Sequence, residues 1–179
     1  MRQSKSKYAI GLKYGLSGGV ICCILLFIRY RYMATDPLSF GGFAAVSYLF
    51  FLVLFYFTGV ARRKQLGGYA DFKELFQAIL LAIILTELAY AIFSFVYLMY
   101  VEPGFFDRFL RTSKANFKKA GWTDERIGLQ MDKFKDSFTQ LSPVNALKGM
   151  GMWIVIDCIF GSIFSAVLKK SKQNLQDKI

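Results

Sequence analysis

Leu75–Val101, LFQAILLAIILTELAYAIFSFVYLMYV, carries a single carboxylate, Glu87, near its midpoint. As a helix it would be about 40 Å long, more than the roughly 30 Å hydrocarbon core of a bilayer. It reads as a membrane span whose ends reach both interfaces. An acid at that depth costs roughly 3 kcal/mol on insertion scales, so by default it marks a functional site.

Working outward, the chain supplies three more spans. Ala9–Ile28 is apolar apart from Lys13, which sits close enough to the interface to snorkel. Its basic start resembles a signal peptide, but the run ends in Arg29–Tyr30–Arg31 with no small-residue cleavage pattern, so it reads as a retained span. Gly11, Gly15 and Gly19 recur every four residues and leave a smooth helix face for another backbone, from a partner or from within the bundle. Thr35–Gly42 reads as a turn between antiparallel helices. Phe43–Val60 is an uncharged, Phe- and Tyr-rich second span that stops at Arg62–Arg63–Lys64. Gly67–Gly68 breaks the helix, and Asp71 with Glu74 forms an acidic capping box that opens the third span.

Beyond Val101, Glu102–Pro103–Gly104 ends or kinks the helix. Phe105–Leu141 keeps helical period at lower hydropathy, with a break at Gly121–Trp122 and Thr123 as an N-cap. It reads as two amphipathic helices, their Phe faces lying on the membrane surface or on each other. Its basic residues Arg108, Arg111, Lys114, Lys118 and Lys119 suit contact with lipid phosphate or a partner, or a merely solvated face. Ser142–Pro143 restarts the chain. The fourth span, Ala146–Leu168, contains Trp153 and a second mid-depth acid, Asp157, followed by Gly161 and Ser165 on a small-residue face.

The fold class is therefore all-α: an integral membrane bundle of four transmembrane helices, with an amphipathic helical hairpin at residues 104–141 between the third and fourth. Residues 1–179 form one membrane domain. Both termini lie on one side, and the density of Lys and Arg next to the membrane on that side makes it the cytoplasmic one.

Composition narrows the function classes. A net charge of +11 from 23 basic and 12 acidic residues would suit nucleic acid in a soluble protein. Here the bases flank apolar runs, where anionic lipid head groups explain them better, so no nucleic-acid partner is expected. With no His, triads that need it and His-ligated metal sites are excluded. Cys22, Cys23 and Cys158 all fall in apolar runs with no metal spacing and read as buried thiols. No cofactor or metal is expected.

The segments GGYADFKELF (Gly67–Phe76) and EPGFFDRF (Glu102–Phe109), the charged helical stretch that follows, and a last span ending SAVLKK (Ser165–Lys170) resemble the family called domain of unknown function 4199. That resemblance covers essentially the whole chain. It implies a small four-span protein of the inner membrane of Gram-negative bacteria, and it makes a polyprenol-phosphate glycosyltransferase a candidate partner. Asp71 stands where the family pattern tends to have Ser. Glu87 and Asp157 are not part of that pattern, so it carries no site residues over to them.

Two functions are expected from these features. The first is a non-enzymatic accessory or scaffold subunit that binds membrane lipids and another membrane protein, or a second copy of itself, through the glycine faces and the basic hairpin. The second is a small proton-linked transporter or lipid-handling protein. On the third helix Glu87, Tyr90 and Ser94 fall on one stripe, and an acid pair with Asp157 could carry a proton or bind a cation. An enzyme is not expected. Two mid-membrane acids suit an intramembrane aspartyl protease, but the flanking motif of such proteases is absent.

Overall fold

The computed structural model describes residues 2–139 and 143–170. In chain order it builds α1 (Arg2–Tyr32), α2 (Pro37–Gln65), α3 (Phe72–Val96, extended by a π-helical turn Tyr97–Val101), α4 (Phe105–Lys119), α5 (Asp124–Thr139) and α6 (Pro143–Leu168). Four segments are long and apolar enough to cross a membrane: Tyr8–Thr35, Pro37–Gln65, Phe72–Val101 and Gly149–Leu168. No strand occurs among the described residues. Residues 140–142, where the hairpin was expected to end and the chain to restart, and the basic tail beyond Lys170 lie outside the described residues.

The helix boundaries follow from local chemistry. The turn expected over Thr35–Gly42 is shorter than its composition implied. Asp36 caps α2, accepting from the Ser39 amide and hydroxyl at 2.8 Å each, and Pro37 sits where its fixed φ suits a first helical turn. Gly41 and Gly42 are therefore helical, and only Met33–Asp36 makes the turn. Those two hydrogen bonds hold the exposed Asp36 carboxyl below the usual carboxylate range. At the start of α3 the Glu74 carboxylate reaches back to the Asp71 amide at 3.4 Å. Gly67, Gly68 and Gly121 adopt positive φ at the two breaks that the sequence marks.

In hydrocarbon there is little hydrophobic drive between helices, so close packing of small residues must bring them together. α1 runs parallel to α3 in just this way. A Cβ added at Gly11 would lie 2.6 Å from the Ala78 carbonyl, one at Gly15 2.8 Å from Leu85, and one at Gly19 3.0 Å from Ala89. The glycine stripe of the first span is thus spent inside the bundle. Gly161 of α6 packs antiparallel on Ile79 and Ile83 of α3, and Ser165 turns its hydroxyl onto the Gly161 carbonyl at 2.7 Å. α3 touches all three other spans, whereas α1 and α6 share no substantial contact.

The two ends of the bundle are closed differently. At the end carrying the α2–α3 loop, Ala70 and Lys170 exchange backbone hydrogen bonds of 3.2 and 3.1 Å, tying that loop to the end of α6. At the other end sits an aromatic cluster. Tyr30, Phe40, Tyr97, Phe105 and Phe109 are all buried, with ring centroids 5.0–6.2 Å apart. Phe109 and Phe117 in turn meet Phe134 of α5. The Phe faces of α4 and α5 therefore pack on each other and on the end of the bundle.

Candidate functional site

Below the aromatic cluster, three spans leave a groove of about 390 Å³ between them. Its walls come from α1 (Cys22, Leu26, Arg29), α2 (Ala44, Tyr48, Phe51) and α3 (Thr86, Glu87, Tyr90), with Trp153 of α6 along one edge. The helix register orders these residues by depth. Gly18 faces Thr86 and Gly19 faces Ala89, so Glu87 lies level with the Gly18–Gly19 turn of α1. Arg29 is ten residues further on, about 15 Å along the axis at 1.5 Å per residue. Glu87 is at the floor and Arg29 at the end nearer the hairpin.

Glu87 is half-buried, and among the described residues its carboxyl makes no hydrogen bond or ion pair. Thr86 beside it is 2% exposed, and its hydroxyl has no partner. Most helical Thr hydroxyls bond back to a carbonyl one turn earlier, as Thr58 does to Leu54 at 2.9 Å. A buried hydroxyl without that bond carries a desolvation cost of about 1–3 kcal/mol.

Asp157 is fully buried. The Tyr48 hydroxyl donates to its Oδ1 at 2.9 Å, while Oδ2 has no partner. Since Gly161 faces Ile79 and Ile83, the antiparallel register sets Asp157 at the level of Ile83–Glu87. The two acids occupy one layer and are joined through Tyr48, which lines the groove with one and bonds the other.

Other site residues expected from the sequence fall elsewhere. Tyr90 lines the groove, but Ser94 does not serve Glu87: it accepts the Tyr30 hydroxyl at 3.1 Å inside the aromatic cluster. Seven residues separate Ser94 from Glu87, about 10 Å of helix, so sharing a stripe does not bring them together. Arg108 is not available to lipid. It bridges Glu102 at 2.6 Å and donates to the Tyr30 carbonyl at 3.3 Å, with Glu102 also accepting the Tyr97 hydroxyl at 3.1 Å. Arg111, Lys114, Lys118 and Lys119 remain exposed on α4.

Tyr48, Thr86, Arg29 and Trp153 had no site signal of their own in the sequence. Tyr48 lies 109 residues from the acid it serves, and no pattern within one helix could reveal that pairing. Arg29 reads as a simple end-of-span charge, yet its guanidinium lies 4.0 Å over the Phe40 ring and its Nε donates to the Phe40 carbonyl at 3.2 Å.

No three His, Cys, Asp or Glu side chains converge as metal ligands among the described residues. The site offers a carboxyl with free lone pairs and aromatic side chains in a partly dry space. Such a site can bind a polar or charged group.

No curated protein and no solved structure matches this chain. One protein family does, over residues 13–170, which take in most of the first span, the other three spans and both α4 and α5. Its description is "Protein of unknown function (DUF4199)", and the chain belongs to that family.

Proposed function

We propose that this is a non-enzymatic inner-membrane protein that works by binding a small molecule or lipid group in the groove beside Glu87. The observation that carries this reading is the free Glu87 carboxyl in a cavity at mid-membrane depth, next to a Thr86 hydroxyl that is buried against Gly18 without a partner. A purely structural acid would be expected to have found a partner, as Asp157 has found Tyr48. The glycine faces that would recommend a scaffold are both consumed by α3. With Asp157 in the same layer, proton-linked transport or lipid handling is the form this binding takes, and both termini are assigned to the cytoplasm.

An accessory role has one observation in its favour. Arg111, Lys114 and Lys118 are exposed at steps of three and four along α4, whose Phe105 and Phe109 are buried on the opposite side. That amphipathic helix offers its basic row to lipid phosphate or to a partner such as a lipid-linked glycosyltransferase.

The groove reading is tested with Cys22, which lines the cavity. In a Cys23→Ser/Cys158→Ser background, a small methanethiosulfonate reagent should modify Cys22. Ala44→Phe, which fills the cavity, should slow the reaction at least tenfold. Protein purified from native membranes should carry a small molecule visible by native mass spectrometry and absent from Ala44→Phe. A Cys22 that reacts equally in both forms, with no bound molecule in either, would sink the reading.

A further inference from the structure

The chemistry of the walls says which small molecule the groove favours. Four aromatic side chains, Tyr48, Phe51, Tyr90 and Trp153, line it together with the free carboxyl of Glu87. Aromatic faces carry negative electrostatic potential and attract organic cations, with Trp the strongest, and the attraction grows when water is excluded. The Tyr48 hydroxyl already donates its hydrogen bond to Asp157, so it has no second proton to offer an anion. Inorganic cations need a full shell of oxygen ligands, which this wall lacks. An anion would face the Glu87 charge at the floor.

Resting on the groove reading above, we infer that the ligand is a small lipophilic organic cation, an alkyl- or aryl-ammonium. Glu87 is its counter-charge, and the rings of Tyr48, Phe51, Tyr90 and Trp153 surround its apolar part. Arg29 does not take the place of the ligand: it lies about 15 Å along the axis from Glu87 and is engaged on Phe40. From that distance its charge opposes a cation less than the adjacent Glu87 carboxylate attracts it.

One carboxyl holds either the cation or a proton, so acidification releases the ligand. The titratable and charged groups around Glu87 are Cys22 and Arg29 from α1, Tyr48 from α2, Tyr90 on its own helix and Asp157 from α6. Of these only Asp157 shares the carboxyl chemistry of Glu87. The Glu87→Gln variant separates the two.

The test uses the full chain in lipid nanodiscs with Trp122→Phe, which leaves Trp153 as the sole tryptophan of the two in the chain. Benzyltrimethylammonium and its neutral isostere neopentylbenzene are titrated against Trp153 fluorescence. The cation should give a saturable change with at least tenfold tighter binding than the isostere. That advantage should fall at least tenfold in Glu87→Gln and on acidification of the wild type, but not on acidification of Glu87→Gln. Equal binding of the two probes to the wild type overturns the cation inference and leaves the groove reading standing; this comparison needs no Glu87 variant to fold. Tighter binding of the isostere than of the cation overturns it as well. No saturable change with either probe, together with Cys22 modification that neither probe slows, overturns both.

Discussion

The bundle has two unlike halves. In the half beside the α2–α3 loop, α3 is gripped from both sides: Ile79, Ala82 and Ile83 have no exposed surface, and glycines at 11, 15, 59 and 161 face it where an added Cβ would lie 2.6–3.2 Å from its atoms. In the half beside the hairpin, the positions that face each other are Tyr48, Phe51, Tyr90 and Trp153, and the same helices stand apart around a groove of about 390 Å³. Side-chain size decides which half closes. Where backbones touch, close packing holds the helices together. Where rings intervene, space is left that polar atoms line, and both mid-depth acids lie at the junction of the two halves. A rigid half under a partly open one is an arrangement suited to binding without collapse.

The comparison breaks most severely at Gly11. A Cβ there would lie 2.6 Å from the Ala78 backbone oxygen, which cannot swing aside as a side-chain end does. Gly11→Leu should separate α1 from α3 and cost about 3 kcal/mol or more. Thermal unfolding in detergent, followed by circular dichroism, should show a fall well beyond that of any groove variant. A Gly11→Leu protein as stable as wild type would mean that α1 is not held by this contact.

The next largest effect is at the junction. Tyr48→Phe leaves both oxygens of the buried Asp157 without a partner, at an expected cost of about 1–3 kcal/mol. Replacing both ends, Tyr48→Phe with Asp157→Leu, should recover most of that loss, because the cost is an unpaired buried group and not the missing bond itself. A double-mutant cycle on melting temperature measures the recovery. A double variant less stable than either single one would show that Asp157 has a further partner.

Smaller again is the latch that seats the hairpin. Arg108 and Glu102 are 34% and 24% exposed, so their 2.6 Å bridge is partly screened, and Arg108→Ala should cost about 1 kcal/mol. The loss should be local, as faster amide hydrogen exchange in α4 with that of α3 unchanged up to the Tyr97–Val101 turn. Uniform acceleration across both helices would make the hairpin part of the bundle core.

The closed half was legible in the sequence and the open half was not. Four apolar runs, the caps at Asp71 and Thr123 and the Gly67–Gly68 and Gly121 breaks are local features, each set by neighbours within a few residues. Repetition of glycine every four residues announced close packing, though not which helix would fill the face. The two acids were visible because a charge at bilayer depth is conspicuous in one dimension. Their surroundings depend on register between helices. Tyr48 and Trp153 meet at 5.7 Å only because α2 and α6 run parallel at a particular offset. Ser94 was misplaced for the converse reason: its stripe was right, but its partner Tyr30 comes from α1, 64 residues away. The length of the first turn was misjudged because Gly41–Gly42 suggested a loop, while Asp36 and Pro37 had already started the helix.

The smallest stability change is expected where the halves differ most in consequence. A Phe in place of Ala44 adds its ring to the groove wall and should shift stability by less than about 0.5 kcal/mol, as ordinary substitutions away from packed features do. Its effect on binding should nonetheless be among the largest of any variant, because the new ring occupies the volume a ligand needs. Gly11→Leu and Ala44→Phe thus form a matched pair: both add an apolar side chain facing another helix, one to each half. The first should lower the melting temperature and the second should leave it alone while abolishing saturable binding of an ammonium probe at Trp153. An Ala44→Phe protein that melts as early as Gly11→Leu would mean that the hairpin half is as tightly packed as the other, and that the groove between α1, α2 and α3 does not persist in the membrane.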